Sequence, residues 1–292
     1  MRYRVEYVLV RLLIGVVRIA PHAVVRGMGT TLGLLFYVLD RPHRRVAQQN
    51  LAAAFPSRPI GERKAIARAA FQHFGRLLFE LLEFSTLSNE QILARVEFEG
   101  EDRTRSAYAQ AKGVLFVTGH FGCWELHSLA HALHFEPIGV LARALDNPKL
   151  NDLLEHIRQQ TGNFVIYRRG TIRRVMRTLD SGHGVAILID QHIVSRDAIY
   201  IDFFSRPAAT TSAVAALALR TGAPVVPVFA LPLPGGRYRL IYEHPVTPPP
   251  ADSPDAVRDF TQRCTDVLEM YVRRNPELWL WMHRRWRDDD GA

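Results

Sequence analysis

Cysteine and lysine are both scarce in this chain of 292 residues. It holds two cysteines, Cys123 and Cys264, and three lysines, Lys64, Lys112 and Lys149. Two thiols make no disulfide framework, which is compatible with a reducing compartment without proving one. The shortage of lysine means that the formal charge of +8 is carried almost wholly by arginine. Zinc-finger spacing, the H-E-x-x-H pattern, an aromatic-basic RNA-recognition motif and internal repeats are also missing, as is any low-complexity linker beyond the Pro248-Pro249-Pro250 bend. Only net charge then favours nucleic acid, so nucleic acid is not an expected partner. That charge suits an anionic membrane surface or an acidic carrier protein instead. The apolar content of 48% excludes a disordered chain, and the length suits one large domain or two small ones.

Nor does the N-terminus offer a charge-free apolar stretch. Tyr3 to Ala20 is mostly apolar but carries Arg4, Arg11 and Arg18, which at a spacing of seven fall within ~40° on a helix. A spanning helix wants ~20 apolar residues, and arginine at the bilayer centre costs several kcal/mol. A signal peptide fits poorly too, because Arg11 interrupts the apolar region. The expectation is a helix lying in the membrane interface, guanidinium groups near phosphates. A packed helix with solvated arginines and a tilted single span are the rival readings. The second apolar run, Thr31 to Leu39, is read as too short to span alone.

Beyond residue 40, strand-like and helical segments alternate. Strands are expected at Arg95–Phe98, Gly113–Thr118, Pro137–Ala142, Asn163–Tyr167, Gly184–Ile189, Ala198–Phe203, Pro224–Phe229 and Tyr238–Tyr242. Helices are expected at Glu62–Phe84, Asn147–Gln160, Thr171–Ser181 and Thr211–Thr221, the last closed by Gly222, and a final one begins at Ser253-Pro254. This pattern predicts an α/β fold, a mixed central sheet with helices on both faces. Residues 1–40 would form a membrane-associated helical arm and 41–292 a single α/β domain.

The chemistry concentrates in Gly113-Val-Leu-Phe-Val-Thr-Gly-His-Phe-Gly-Cys-Trp-Glu-Leu126. A buried strand ends at Thr118, and a helix starts near Trp124. His120 and Glu125, five apart, would stand ~140° apart on one regular helix. They can meet only if His120 precedes the helix, on a turn that Gly119 and Gly122 make flexible. Such a pair suits a general base whose tautomer is held by an acid. Spacing alone leaves a structural pair the commoner reading.

At these residues the chain resembles the late acyltransferases of lipid A biosynthesis, within the lysophospholipid acyltransferase superfamily. The H-x4-D/E motif falls on His120 and Glu125. Similar blocks are Ala142-Arg-Ala-Leu-Asp-Asn-Pro148, Ile189-Asp-Gln-His192, Asp202-Phe-Phe-Ser-Arg-Pro-Ala208, Ala223-Pro-Val-Val-Pro-Val228 and Trp279-Leu-Trp-Met-His-Arg-Arg-Trp286. Cys123, Ser205 and His192 depart from residues common in that family; the first changes little, while the other two put the acceptor in doubt more than the reaction. The resemblance implies acyl transfer from acyl carrier protein or coenzyme A to a hydroxyl of a membrane glycolipid, with no cofactor and no metal. The acceptor is expected to be an anionic membrane lipid, a lipid A precursor first. The site of action would be the cytoplasmic face of a bacterial inner membrane.

On that reading His120 takes the proton of the attacking alcohol and Glu125 orients its ring. Backbone N–H groups of Gly122 and Cys123 would receive the oxyanion. Arg143, Asp190 and Arg206 are substrate-binding candidates, against bland roles as an ion-pair partner, a turn cap and a solvated loop residue. Other readings stay open: another lysolipid or glycolipid acceptor, a thioesterase or lipid hydrolase using Cys123, or a non-catalytic lipid-binding protein. His127, His131 and His134 share a helix face, yet core or solvent-facing histidines fit better than metal ligands, since no carboxylate or thiol cluster joins them. Trp279, Trp281 and Trp286 read equally as an interfacial aromatic belt or as a packed plug.

Overall fold

The computed structural model describes residues 1–167, 171–194, 198–250 and 252–287. Four helices open the chain: α1 (Arg2–Ile19), α2 (His22–Leu39), α3 (Arg41–Ala54) and α4 (Ile60–Phe84). The run at Thr31–Leu39 is the second half of α2. This continuous helix of 18 residues, with mean hydropathy 1.3, is long and apolar enough to cross a membrane by length and composition. The run alone does not make this length; α2 reaches it because Pro21 ends one helix and allows the next to start at once. On α1, Val5, Val8, Leu9, Leu12, Val16 and Ile19 are exposed and fall within about 100° of one another. The Arg4, Arg11 and Arg18 stripe borders them.

A sheet of seven strands follows, in the order β1 (Val96–Glu99), β9 (Tyr238–Tyr242), β8 (Val225–Pro232), β2 (Val114–Thr118), β5 (Gly184–Leu188), β3 (Gly139–Ala142) and β4 (Phe164–Tyr167). Neighbours are parallel except β8 and β9, which makes the sheet mixed. The α/β architecture expected from the alternating pattern is therefore present. β2 is buried on both faces, as a central parallel strand must be. Its Leu115 and Val117 join the core beneath α3, α4 and the C-terminal segment, while Val114 and Phe116 join the core beneath α7 (Trp124–His134).

Two boundaries differ from the sequence pattern. β6 (Ala198–Asp202) pairs with an unforeseen strand, β7 (Pro207–Thr211), in a separate antiparallel hairpin. A segment that opens with proline and holds two alanines carries little strand signal, and only an edge position accepts it. The last helix, α11, runs over Ala256–Arg274 and so starts after Ser253-Pro254. The Ser253 hydroxyl donates to the Asp259 carboxylate at 2.9 Å rather than capping a helix backbone. The remaining helices are α5 (Asn89–Leu93), α6 (Glu101–Tyr108), α8 (Pro148–Gln159), α9 (Thr171–Asp180) and α10 (Ala213–Thr221).

Candidate active site

The register of two parallel strands assembles the centre of the site. Thr118 of β2 lies opposite Leu188 of β5, and Ile189 N–H extends the ladder to the Thr118 carbonyl at 3.0 Å. Two residues farther along each chain stand His120 and Asp190, side by side at the carboxyl ends of the strands. Parallel α/β sheets gather ligands at that edge. His120 Nδ1 lies 2.8 Å from Asp190 Oδ1, and the His120 backbone N–H donates to Asp190 Oδ2 at 2.8 Å. Trp279 Nε1–H donates to the same Oδ2 at 2.8 Å. Asp190 is buried, whereas the His120 side chain keeps 18% exposure.

This geometry fixes a tautomer. With a proton on Nδ1 facing the carboxylate, the Nε2 lone pair points outward, where the Gln191 amide nitrogen lies 3.3 Å away. Burial alone would lower the imidazole pKa, but the charge and hydrogen bond of Asp190 outweigh it and leave the pKa raised. Burial likewise pushes the Asp190 carboxyl up, and the His120 charge with the three donors reverses that, so it ends lowered.

Glu125 does not hold the ring, contrary to the sequence expectation. Both of its oxygens are taken by Arg158 of α8, at 2.9 Å from Nε and 2.5 Å from Nη2, in a bidentate pair with both side chains 14% exposed. His120 does precede α7, on the turn, and Glu125 does sit in its first helical turn. The acid nonetheless faces α8, and the ring faces β5. Glu125 remains near enough for its charge to favour the imidazolium, while Arg158 opposes it.

The expected oxyanion donors are also engaged. Gly122 N–H donates to the Leu278 carbonyl at 3.0 Å and Cys123 N–H to the Ala230 carbonyl at 2.9 Å. Gly122, at φ +58°, presses so closely on β8 that a Cβ would lie 2.1 Å from the Ala230 oxygen. The turn is stitched to β8 and to the C-terminal segment, and those hydrogen bonds consume the two N–H groups. Buried His73 of α4 braces it from behind, with Nε2 3.2 Å from the Gly122 carbonyl.

Arg143 follows β3 at the same edge of the sheet, its side chain 78% exposed and 4.0 Å from the Asp146 carboxylate. Arg206 lies elsewhere, in the hairpin turn between β6 and β7, where it lines a cleft of about 450 Å³ with Gln49 of α3, Arg284 and Trp286. Cys123 is buried and lines an apolar cleft, and burial raises its thiol pKa well above the ordinary value. His131 is spanned by the Tyr108 and Tyr242 hydroxyls at 3.0 and 2.9 Å, while His134 pairs with Glu101 and stacks on Phe98. Trp279, Trp281 and Trp286 are buried, so the packed plug is the arrangement found. Arg158, Gln191 and the indole of Trp279 were not among the expected site residues. The Asp-Gln dipeptide after an apolar strand was the one available signal for Gln191.

Beside this centre lies an apolar cleft of about 210 Å³, walled by Phe74, Leu81 and Phe84 of α4 and by Trp124 and Glu125 of α7. The Trp124 ring bridges the two features, 5.2 Å from the His120 ring and 5.9 Å from that of Phe74. The His120 ring is thus separated from a hydrocarbon-lined groove by one indole ring.

Comparison with known proteins bears on the family of the chain. The family model described as "Bacterial lipid A biosynthesis acyltransferase" matches residues 1–288. The chain is 28% identical over 269 residues to the lipid A biosynthesis lauroyltransferase of Escherichia coli (strain K12), covering 91% of this chain and 86% of that protein. It is 24% identical over 245 residues to the lipid A biosynthesis myristoyltransferase of the same strain, covering 84% and 75%. A phosphatidylinositol mannoside acyltransferase of Mycobacterium tuberculosis (strain ATCC 25618 / H37Rv) is 22% identical over 279 residues, covering 94% and 86%. The chain belongs to the bacterial lipid A biosynthesis acyltransferase family and is an O-acyltransferase.

Proposed function

We propose that this enzyme moves a fatty acyl chain from an acyl thioester, carried by acyl carrier protein or coenzyme A, to a hydroxyl of a lipid A precursor. His120 is the general base, and Asp190 is the acid that orients it. The observation that carries the reading is the 2.8 Å contact between Nδ1 and Asp190, which in the neutral ring places the proton on Nδ1 and turns the Nε2 lone pair outward. An alcohol must lose its proton as it attacks the thioester carbonyl, and a neutral imidazole accepts it. The thiolate leaving group needs little help from an acid, so no covalent enzyme intermediate is required. Positive charge building on the ring meets the buried Asp190 carboxylate, which Trp279 holds in place.

The acyl tail of the donor lies in the cleft between α4 and α7. Gln191, whose amide neighbours Nε2, donates to the tetrahedral oxyanion, and the amino end of α7 adds its dipole. Arg143 receives a phosphate at the sheet edge, from the acceptor or the donor's prosthetic arm. The Glu125–Arg158 pair forms the polar rim of the acyl cleft and keeps α7 and α8 together. Against a Cys123 hydrolase stands the burial that keeps that thiol protonated.

Residues 1–40 act as the membrane-facing arm of a single catalytic domain spanning 41–292, at the cytoplasmic face of the bacterial inner membrane. Support comes from the exposed apolar stripe of α1 and the exposed Val24, Leu35, Phe36 and Leu39 of α2. The test is His120→Ala, assayed with radiolabelled acyl carrier protein and a lipid A precursor. Transfer should fall at least ~10²-fold with the circular dichroism spectrum intact. Turnover near the wild-type rate would end the reading.

A further inference from the structure

A second apolar cleft, of about 240 Å³, lies between α2 and α4, with Leu32 and Phe36 on one wall and Phe71, Phe74, Leu78 and Met282 around the rest. Phe74 and Leu78 also line the cleft beside Glu125. The two grooves therefore lie on opposite sides of one ridge on α4, and the ridge residue Phe74 reaches His120 through Trp124. Chains lying in both grooves would converge on the same point.

The mouths differ in what they face. The second groove opens along α2, where Phe36 is 51% exposed beside exposed Leu35 and Leu39. Its polar residues are Asp40 and His43, whose side chains pair with each other at 2.8 Å. An apolar surface this continuous favours hydrocarbon on the outside as well as within. A thioester donor on acyl carrier protein or coenzyme A arrives from water. The acceptor lipid is the substrate that resides in the bilayer, on the side that α1 and α2 present.

We propose that the α2–α4 groove holds a hydrocarbon chain of the acceptor lipid, and that Leu32, Phe36 and Met282 set the preference for an acceptor carrying that chain. This inference rests on the function proposed above. It adds a division of labour: one groove for each substrate, with Phe74 as the partition. Because that chain arrives from the bilayer rather than from water, its selection rests on packing: an acceptor that lacks the chain leaves the apolar walls of the groove without their contacts.

The experiment compares kcat/KM for a lipid A precursor with that for its partly deacylated counterpart, alongside a series of donor chain lengths on acyl carrier protein. Leu32→Trp and Met282→Phe fill the groove from opposite walls, Phe36→Ala opens its exposed mouth, and Leu81→Trp fills the other groove. The first three should each narrow the wild-type preference for the fully acylated acceptor at least tenfold, with the donor optimum unmoved. Leu81→Trp should shift the donor optimum to shorter chains and keep the acceptor preference. The inference is overturned if the α2-side variants move the donor optimum, or if all three keep the wild-type acceptor preference. Phe36→Ala leaves the core intact, so the inference stays falsifiable even where a filling variant misfolds. A wild-type enzyme that transfers to neither acceptor sinks the proposed function itself, a different outcome from transfer with an unaltered preference.

Discussion

The indole N–H of Trp279 and the Oδ2 atom of Asp190 lie 2.8 Å apart, across 89 residues of sequence. That bond, with the backbone N–H of His120, saturates one carboxylate oxygen and directs the other at the imidazole. The C-terminal segment thereby takes part in orienting the His120 ring. It also closes an antiparallel bridge between Phe121 and Trp279, so the turn that bears His120 is held on both sides.

Asp190→Asn tests this relationship directly. The amide keeps the shape but loses the charge, and an N–H presented to Nδ1 selects the wrong tautomer, with the Nε2 atom protonated. Activity should fall by about 10³–10⁴-fold, measured as kcat in the acyl transfer assay. Glu125→Gln should cost far less in kcat, because Glu125 is committed to Arg158. Equal losses in the two variants would restore Glu125 to the base-orienting role.

The pH profile carries the same information with a sign. The base works in its neutral form, and Asp190 raises the pKa of His120 despite burial. The acid limb of kcat/KM should therefore lie above ~6.5, the ordinary imidazole value, with activity lost as pH falls through the raised pKa. Removing the carboxylate in Asp190→Asn leaves burial as the leading influence, so the residual activity should show its acid limb displaced to lower pH. A limb that stays in place, or rises, would contradict the assignment.

Much of the fold was legible because β2 to β5 and the helices between them follow simple periodicities: a continuous apolar run for a central strand, caps and glycines at helix ends. Asn147-Pro148 opened α8 as read, with the Asn147 carboxamide accepting the Lys149 N–H at 3.1 Å. His120 was legible as the candidate base, since a histidine on a glycine-bracketed turn after a buried strand is a conspicuous local pattern. Its partner was not. Whether β5 or some other strand lies beside β2, and in which register, is decided by tertiary packing that the local sequence does not encode. Glu125 was the nearest acid along the chain, while Asp190 is the nearest in space. Arg158 carried no signal because nothing local shows that the end of α8 reaches the start of α7. The hydrogen bonds of Gly122 and Cys123 were hidden for the same reason, since their acceptors lie in β8 and in the C-terminal segment.

Glu125 and Arg158 should behave as a buried ion pair. Arg158→Ala leaves a carboxylate without its bidentate partner in a largely buried place, at a cost of about 3–5 kcal/mol. The double variant Glu125→Ala/Arg158→Ala removes both charges and should recover a substantial part of that loss. Urea denaturation of the wild type, the two single variants and the double variant gives the coupling energy. Additive losses would mean that the pair contributes no more than two independent surface charges.

The position of α2 on α4 depends on glycine at the crossing. A Cβ added at Gly33 would lie 2.2 Å from the Phe71 carbonyl oxygen and 2.7 Å from Gln72 Cα, and one at Gly75 would lie 2.2 Å from the Gly29 oxygen. These obstacles are backbone atoms, which cannot swing aside as a side-chain tip can, so a methyl group has to push the helices apart. Overpacking of this kind costs about 1–3 kcal/mol. Gly27, on the same helix, has nothing within 4 Å of its added Cβ. There alanine only improves helix propensity, by up to ~1 kcal/mol. Gly33→Ala should accordingly lower the thermal midpoint by several degrees and raise amide hydrogen exchange in α2, whereas Gly27→Ala should leave the midpoint unchanged or higher. Widening the α2–α4 crossing also deforms the groove that begins at Gly33, so Gly33→Ala should weaken acceptor binding while Gly27→Ala does not. If the two alanines prove equally harmless, α2 is held by its flanking contacts, such as His22 with Glu83, and the glycine crossing is not what positions it.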